Sequence, residues 1–214
     1  SCIDNHENIP RLREGMGELS NEGFANLAKL MHIEPAGRPI PSTPFYTGLL
    51  HFAIPLINII TRLKIYGAEN IPQKGPLIVA ANHLSHLDPV LAIYSSRRKL
   101  YYLAKDEHFK KKGWRQLMLA TGQVETNRTL GGSDAIARAA DVLNAGLPLG
   151  IFPEGTRVPH GEVRALQAGF AGLYKMLGLA VVPVAVDSGP IYHRGLKRRG
   201  TITYRFGEPI PPGL

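Results

Sequence analysis

The chain of 214 residues is 44% hydrophobic and 20% charged, with a formal net charge of +8, a make-up that fits one ordinary globular domain and excludes a disordered or fibrous chain. Its single cysteine, Cys2, rules out an internal disulfide and a cysteine-built zinc site and suits a reducing compartment. The basic clusters Arg97 to Lys99, Lys110 to Lys112 and Lys197 to Arg199 attract anionic surfaces or form a solvated face; with 7% aromatic residues and no binding motif, nucleic acid is not an expected partner.

Residues 1–44 are polar and irregular, close on Pro35, Pro39, Pro41 and Pro44, and read as an arm or linker. Within them Phe24, Leu27, Ala28 and Met31 recur at helical spacing. Residues 45–60 are the most apolar stretch but fall short of the ~18 uninterrupted apolar residues of a spanning helix. His51 and Asn58 interrupt them and Pro55 sits in their middle, which describes a kinked helical segment dipping into a bilayer interface or a buried core helix.

From about residue 62 apolar runs alternate with helical patterns, the form of an α/β fold with a mostly parallel central sheet flanked by helices. The expected strands are residues 77–81, 100–104, 149–152, 181–186 and 201–206. One helix is expected from Ser133 to about Ala145 with Gly146 as its stop, and another from about Ala165 to Gly178.

The strand at 77–81 runs into Asn-His-Leu-Ser-His-Leu-Asp-Pro at 82–89. Asp88, Pro89 and the apolar residues after them read as an N-cap, a first-turn proline and a buried helix face. The motif therefore sits on a loop at the carboxyl end of a strand, where open α/β sheets bind ligands. His83 and Asp88 are five residues apart, about 140° around a continuous helix, so they meet only if residues 84–87 turn. If they do, the carboxylate holds one imidazole nitrogen and leaves the other as a base of fixed tautomer. Two other readings stand beside this one: Asp88 as a cap with His83 a loop histidine, and His83, His86 and Asp88 as metal ligands.

The strand at 149–152 ends in Phe-Pro-Glu-Gly-Thr-Arg at 152–157. Pro153 ends the strand and Gly155 permits a tight turn. Arg157 offers a planar fork for phosphate, and Glu154 can orient it, accept from a substrate hydroxyl, or pair with it on the turn. Arg128, ahead of the small-residue loop 129–133, is a further phosphate candidate or a solvated arginine.

The two motifs in this order, followed by Val181, Val182, Pro183 and Val184, resemble the glycerolipid acyltransferase family, which includes the lysophosphatidate acyltransferases. The resemblance covers residue 45 onward. It implies a catalytic domain at 45–214 that moves a fatty acyl group from acyl-CoA or acyl carrier protein to a lysophospholipid, in the first place 1-acylglycerol-3-phosphate, the alternatives being another lyso-lipid or a membrane-binding module that keeps the fold without catalysis. It also implies monotopic or peripheral association with the cytoplasmic face of an anionic membrane. No cofactor or metal is expected beyond the acyl donor. His83 and Asp88 become the catalytic residues. Arg128, Glu154, Gly155, Thr156 and Arg157 become the substrate site, with Lys105 or an amide near Gly155 facing the oxyanion or phosphate. The chain departs from the family pattern ahead of Arg128, which follows Gly-Gln-Val-Glu-Thr-Asn, and at Leu166 to Ala168, where a lysine often precedes the glycine.

Overall fold

The computed structural model describes residues 37–41, 52, 55, 61–85, 88–110, 112–127, 132–159, 162, 164–166, 178–187 and 200–211. Among these residues seven strands form one sheet: β1 (Thr61–Tyr66), β2 (Ile78–Ala81), β3 (Tyr101–Lys105), β4 (Gln123–Thr126), β5 (Leu149–Ile151), β6 (Val181–Asp187) and β7 (Gly200–Phe206). Their order across the sheet is β1-β7-β6-β2-β5-β3-β4, and every neighbouring pair is parallel except β6 and β7. Helices α1 (Asp88–Ser95), α2 (Lys112–Ala120) and α3 (Gly132–Asn144) and two short 3-10 turns, Ala68–Asn70 and Asp106–Phe109, accompany the strands. The expected α/β class is present, and each of the five expected strands agrees with an observed one to within a residue at either end. The strands β1 and β4, at the two edges, were not expected.

Residue alternation along the strands builds a core on each face. Val79 and Ala81 of β2 join Leu91, Ala92 and Ile93 of α1 in one cluster, together with Tyr102, Val182, Val184, Tyr204 and Phe206. Ile78 faces the other way, toward Ala139, Val142 and Leu143 of α3 and Leu149 of β5. Side chains of this size contribute about 1.5–3 kcal/mol each when fully buried, so α1 and α3 are held mainly by these stripes. Helix α3 stops where expected. Gly146 adopts φ 72°, its N–H reaches Leu143 O at 2.9 Å, and Leu147 N–H reaches Val142 O at 3.2 Å. That pair of bonds closes the last turn in a Schellman arrangement, which a left-handed glycine permits.

A proline inside a central strand normally breaks a ladder, yet Pro183 lies in β6 between β2 and β7. Its carbonyl accepts from Gly207 N–H at 2.8 Å, so its backbone faces β7. The β6–β7 ladder begins one step further on, at Val184 opposite Phe206. The missing N–H therefore falls between that ladder and the separate antiparallel bridge of Val181 with Ile210, where Pro183 meets Gly207 through its carbonyl alone. Because β7 runs against β6, it and β1 point opposite to the other five strands. Thr61, the first residue of β1, accordingly lies at the edge where β2, β5 and β6 end.

The described part of the arm, residues 37–41, lies against α3. Gly37 N–H donates to Asp141 Oδ1 at 3.0 Å, and Arg38 pairs with Asp134. The buried Arg138 donates to the carbonyls of Arg38 and Pro39 and pairs with Asp141 at 2.5 Å. Burial pushes the Asp134 carboxyl up, but the Asn127 amide, Arg38 and Arg138 outweigh it and hold the group below its ordinary value of 3.8. Of residues 45–60 only Phe52 and Pro55 are described, and both are helical and exposed. Among the described residues no helix is long and apolar enough to cross a membrane. The amphipathic pattern near Phe24 and most of the helix expected at 165–178 lie outside the described residues.

Candidate active site

Strands β2 and β5 are parallel neighbours, with Ile78 opposite Leu149 and Ala80 opposite Ile151. The two motif loops leave the sheet side by side at this shared carboxyl edge. Alternation then decides which way each side chain points. His83 follows Val79 and Ala81 to the α1 face, and Phe152 follows Gly150 to the same face. The rings of His83 and Phe152 stack at 4.0 Å and 16°, and Phe152 stacks in turn on Tyr102 at 5.1 Å and 19°. Tyr102 can occupy that place because its cross-strand partner is Gly150. A Cβ on Gly150 would come within 2.2 Å of the Tyr102 ring.

The turn that the pairing requires is present. Residues 83–85 wrap over the Asp88 carboxylate, whose Oδ2 accepts from Leu84 N–H at 2.7 Å, Ser85 N–H at 2.7 Å and His83 Nδ1 at 2.9 Å. Asp88 is fully buried, and a buried carboxylate is tolerated when charge-assisted donors surround it. Its place in the first turn of α1 adds a favourable helix dipole. The carboxylate thus holds the loop ahead of the helix and the imidazole together. His86, the other histidine of the motif, lies outside the described residues.

The second loop is fastened to the first. Gly155 N–H donates to Phe152 O at 3.0 Å, closing a turn with Pro153 at its second position, and Gly155 takes φ 69°, the conformation that favours glycine there. Glu154 Oε2 accepts from His83 N–H at 2.7 Å, and Val158 N–H donates to His83 O at 2.8 Å. Both backbone groups of His83 are therefore held by the β5 loop. Thr156 and Arg157 lie exposed on the same loop.

The segment that carries both loops falls inside a known family: the family model described as Acyltransferase matches residues 62–187. The chain belongs to the Acyltransferase family. Among the curated members it resembles, the 1-acyl-sn-glycerol-3-phosphate acyltransferase of Borreliella burgdorferi is 31% identical over 58% of this chain and 51% of its own length. The Bacillus subtilis protein of the same name is 28% identical over 69% of this chain and 73% of its own. The match thus spans about half the length of the Borreliella relative. The crystal structure of the 1-acyl-sn-glycerophosphate acyltransferase PlsC from Thermotoga maritima superposes with a TM-score of 0.60 over 94% of this chain and 87% of that one, at 24% identity. That likeness establishes the fold.

Within this acyltransferase domain the remaining expected residues fare unequally. Lys105 ends β3 at the same carboxyl edge, whereas Arg128 lies outside the described residues. The Gly155 amide, one candidate for the oxyanion, is already engaged by Phe152 O. Arg98 belongs to the architecture: its guanidinium donates to the carbonyls of Pro72, Lys74 and Gly75, and burial lowers its pKa to about 10. Lys99 lies over the Tyr101 ring at 4.9 Å. The first basic cluster is thus partly structural, while Lys110 is exposed and 197–199 lie outside the described residues. Sequence reasoning gave no role to Gly150 or Tyr102, whose partnership depends on a register between distant strands, nor a distinct role to Asn82.

Proposed function

We propose that this chain transfers a fatty acyl group from a thioester donor, acyl-CoA or acyl carrier protein, to the free hydroxyl of a lysophospholipid, with 1-acylglycerol-3-phosphate as acceptor and phosphatidic acid as product. The observation that carries the reading is the 2.9 Å contact of His83 Nδ1 with the buried Asp88 carboxylate. A carboxylate at that distance makes Nδ1 the protonated nitrogen and leaves Nε2 to accept a proton. The acceptor hydroxyl gives its proton to Nε2 as its oxygen bonds to the thioester carbonyl carbon. The tetrahedral intermediate then collapses, the carbon–sulfur bond breaks, and the imidazolium returns the proton to the thiolate. The acceptor's phosphate is assigned to Arg157 and Arg128, and the oxyanion or phosphate to Lys105; the tethering of the 152–158 loop to His83 supports a phosphate site beside the base.

The same reading places the domain at the cytoplasmic face of an anionic membrane, where its acceptor resides. Two features support this. Helix α2 leaves Trp114 and Leu117 exposed at 47% and 42%, three residues apart and beside Lys110 and Arg115. The apolar stretch 45–60 also leads into β1 at the edge where the catalytic loops emerge.

The test is a thiol-release assay that crosses acyl-CoA and acyl carrier donors with several lyso-lipids. Replacing His83 by Ala is expected to lower turnover by about 10²- to 10⁴-fold, the range for loss of a general base, with the fold intact by circular dichroism. A folded variant of undiminished activity would remove His83 from the mechanism.

A further inference from the structure

Strand β2 leaves the sheet after Ala81, whose partner on β6 is Val184. Two residues further along β6, Val186 again presents its backbone groups on the β2 side, but no β2 strand remains to meet them. The Asn82 carboxamide meets both. Val186 N–H donates to Asn82 Oδ1 at 2.6 Å, and Asn82 Nδ2 donates to Val186 O at 2.9 Å. A primary amide carries an acceptor and a donor as a peptide group does, so a side chain supplies one more rung of the ladder. The backbone of the next residue is thereby released toward the opposite neighbour. His83 N–H and C=O bond to Glu154 and Val158 on the β5 side.

We propose that Asn82 is a positioning residue for acyl transfer: by pairing with the Val186 backbone it fixes where β2 ends and so sets the His83 imidazole against Asp88. The loop is then pinned from both flanking strands, by side chain to β6 and by backbone to β5. An alanine at 82 leaves both Val186 groups without this partner. An aspartate still accepts from Val186 N–H but sets a carboxylate against Val186 O. Either change frees the loop on one side and lets His83 swing about its β5 anchor.

This inference rests on the acyl-transfer reading, and its test separates the two. In the full chain, Asn82→Ala and Asn82→Asp are compared with wild type, His83→Ala and Asn70→Ala. Asn70 is the control because its side chain makes the same kind of bond, to Phe206 O at 3.0 Å, at the opposite edge of the sheet. A displacement of about 1 Å at a reacting group costs on the order of 10²-fold, and that loss is expected in kcat for both Asn82 variants. KM for donor and acceptor should change by less than about two-fold, the split expected of a group that touches neither substrate, and Asn70→Ala should keep wild-type kcat. A second readout is independent of turnover: the downfield proton resonance of the Nδ1–H held by Asp88, assigned by its absence in His83→Ala, should weaken or shift in both Asn82 variants and stay unchanged in Asn70→Ala. Wild-type kcat with an unaltered resonance in Asn82→Ala would overturn the proposal, as would equal kcat losses at Asn82 and Asn70. A wild-type chain that releases no thiol would count against the acyl-transfer reading, and the resonance would still decide the role of Asn82.

Discussion

The Asp88 carboxylate does two jobs with one oxygen, and the two respond differently to substitution. Asp88→Asn keeps the shape and an acceptor for the Leu84 and Ser85 amides but removes the charge that holds His83. Bonds to a charged group are worth about 1.5–3 kcal/mol, so a measurable fall in unfolding free energy is expected in urea titration. Turnover should fall much further, by on the order of 10²- to 10⁴-fold, because the imidazole loses its tautomer and orientation. Turnover measured well below the melting transition separates the two effects; activity that falls only as far as stability would make Asp88 a structural residue. At this scale the sequence was informative about identity and silent about reach. His83 and Asp88 are recognisable from their spacing once a turn is granted. That Glu154 serves the His83 amide is visible only when β2 and β5 are placed side by side.

At the scale of elements, the stack of Tyr102, Phe152 and His83 makes β5 a support for β2. Gly150→Ala would set a methyl against the Tyr102 ring, and overpacking of this kind costs about 1–3 kcal/mol. The expected result is a lower melting temperature together with reduced kcat, since a displaced Tyr102 ring pushes on Phe152, which stacks on His83. Retention of wild-type kcat by Gly150→Ala would show that the stack does not transmit its strain to His83. A second element-scale device is the strap of residues 37–41 across α3. Because the folded Asp134 carboxyl is held below 3.8, its contribution is present above about pH 4, the unfolded value for aspartate, and is lost as pH falls through the folded pKa. Acid unfolding of Asp134→Asn should therefore begin from a lower stability at neutral pH and show a shallower limb than wild type; parallel limbs would refute this. The strands that carry motifs were legible as apolar runs. The edges were harder to read. In β1 the alternation Arg62, Leu63, Lys64, Ile65 is a half-buried strand signal, weaker than the continuous apolar runs of the central strands. The four residues of β4, Gln-Val-Glu-Thr, carry too little pattern to call on.

Taken whole, the molecule gathers its chemistry at one edge of the sheet, and the exposed pair on α2 begins there too. If that edge meets a membrane, Trp114→Ala combined with Leu117→Ala should reduce the salt-resistant fraction that floats with vesicles containing anionic lipid, because apolar insertion, unlike attraction of basic residues, survives screening. Unchanged flotation at high salt would place the contact elsewhere on the surface. The α/β class was legible from alternating runs. The order of the strands was not, because it depends on pairings between segments far apart in the chain. The most distant of these, β1 with β7, has a consequence for the newborn chain. During synthesis β1 emerges first of the seven strands and its neighbour emerges last. Until residues 200–206 have left the ribosome, β1 has nowhere to dock and β6 has an open edge. Such late closure slows folding and exposes unpaired strands to other chains. A ribosome-stalled chain ending at Asp187 would therefore hold both motif loops and still need a chaperone's protection.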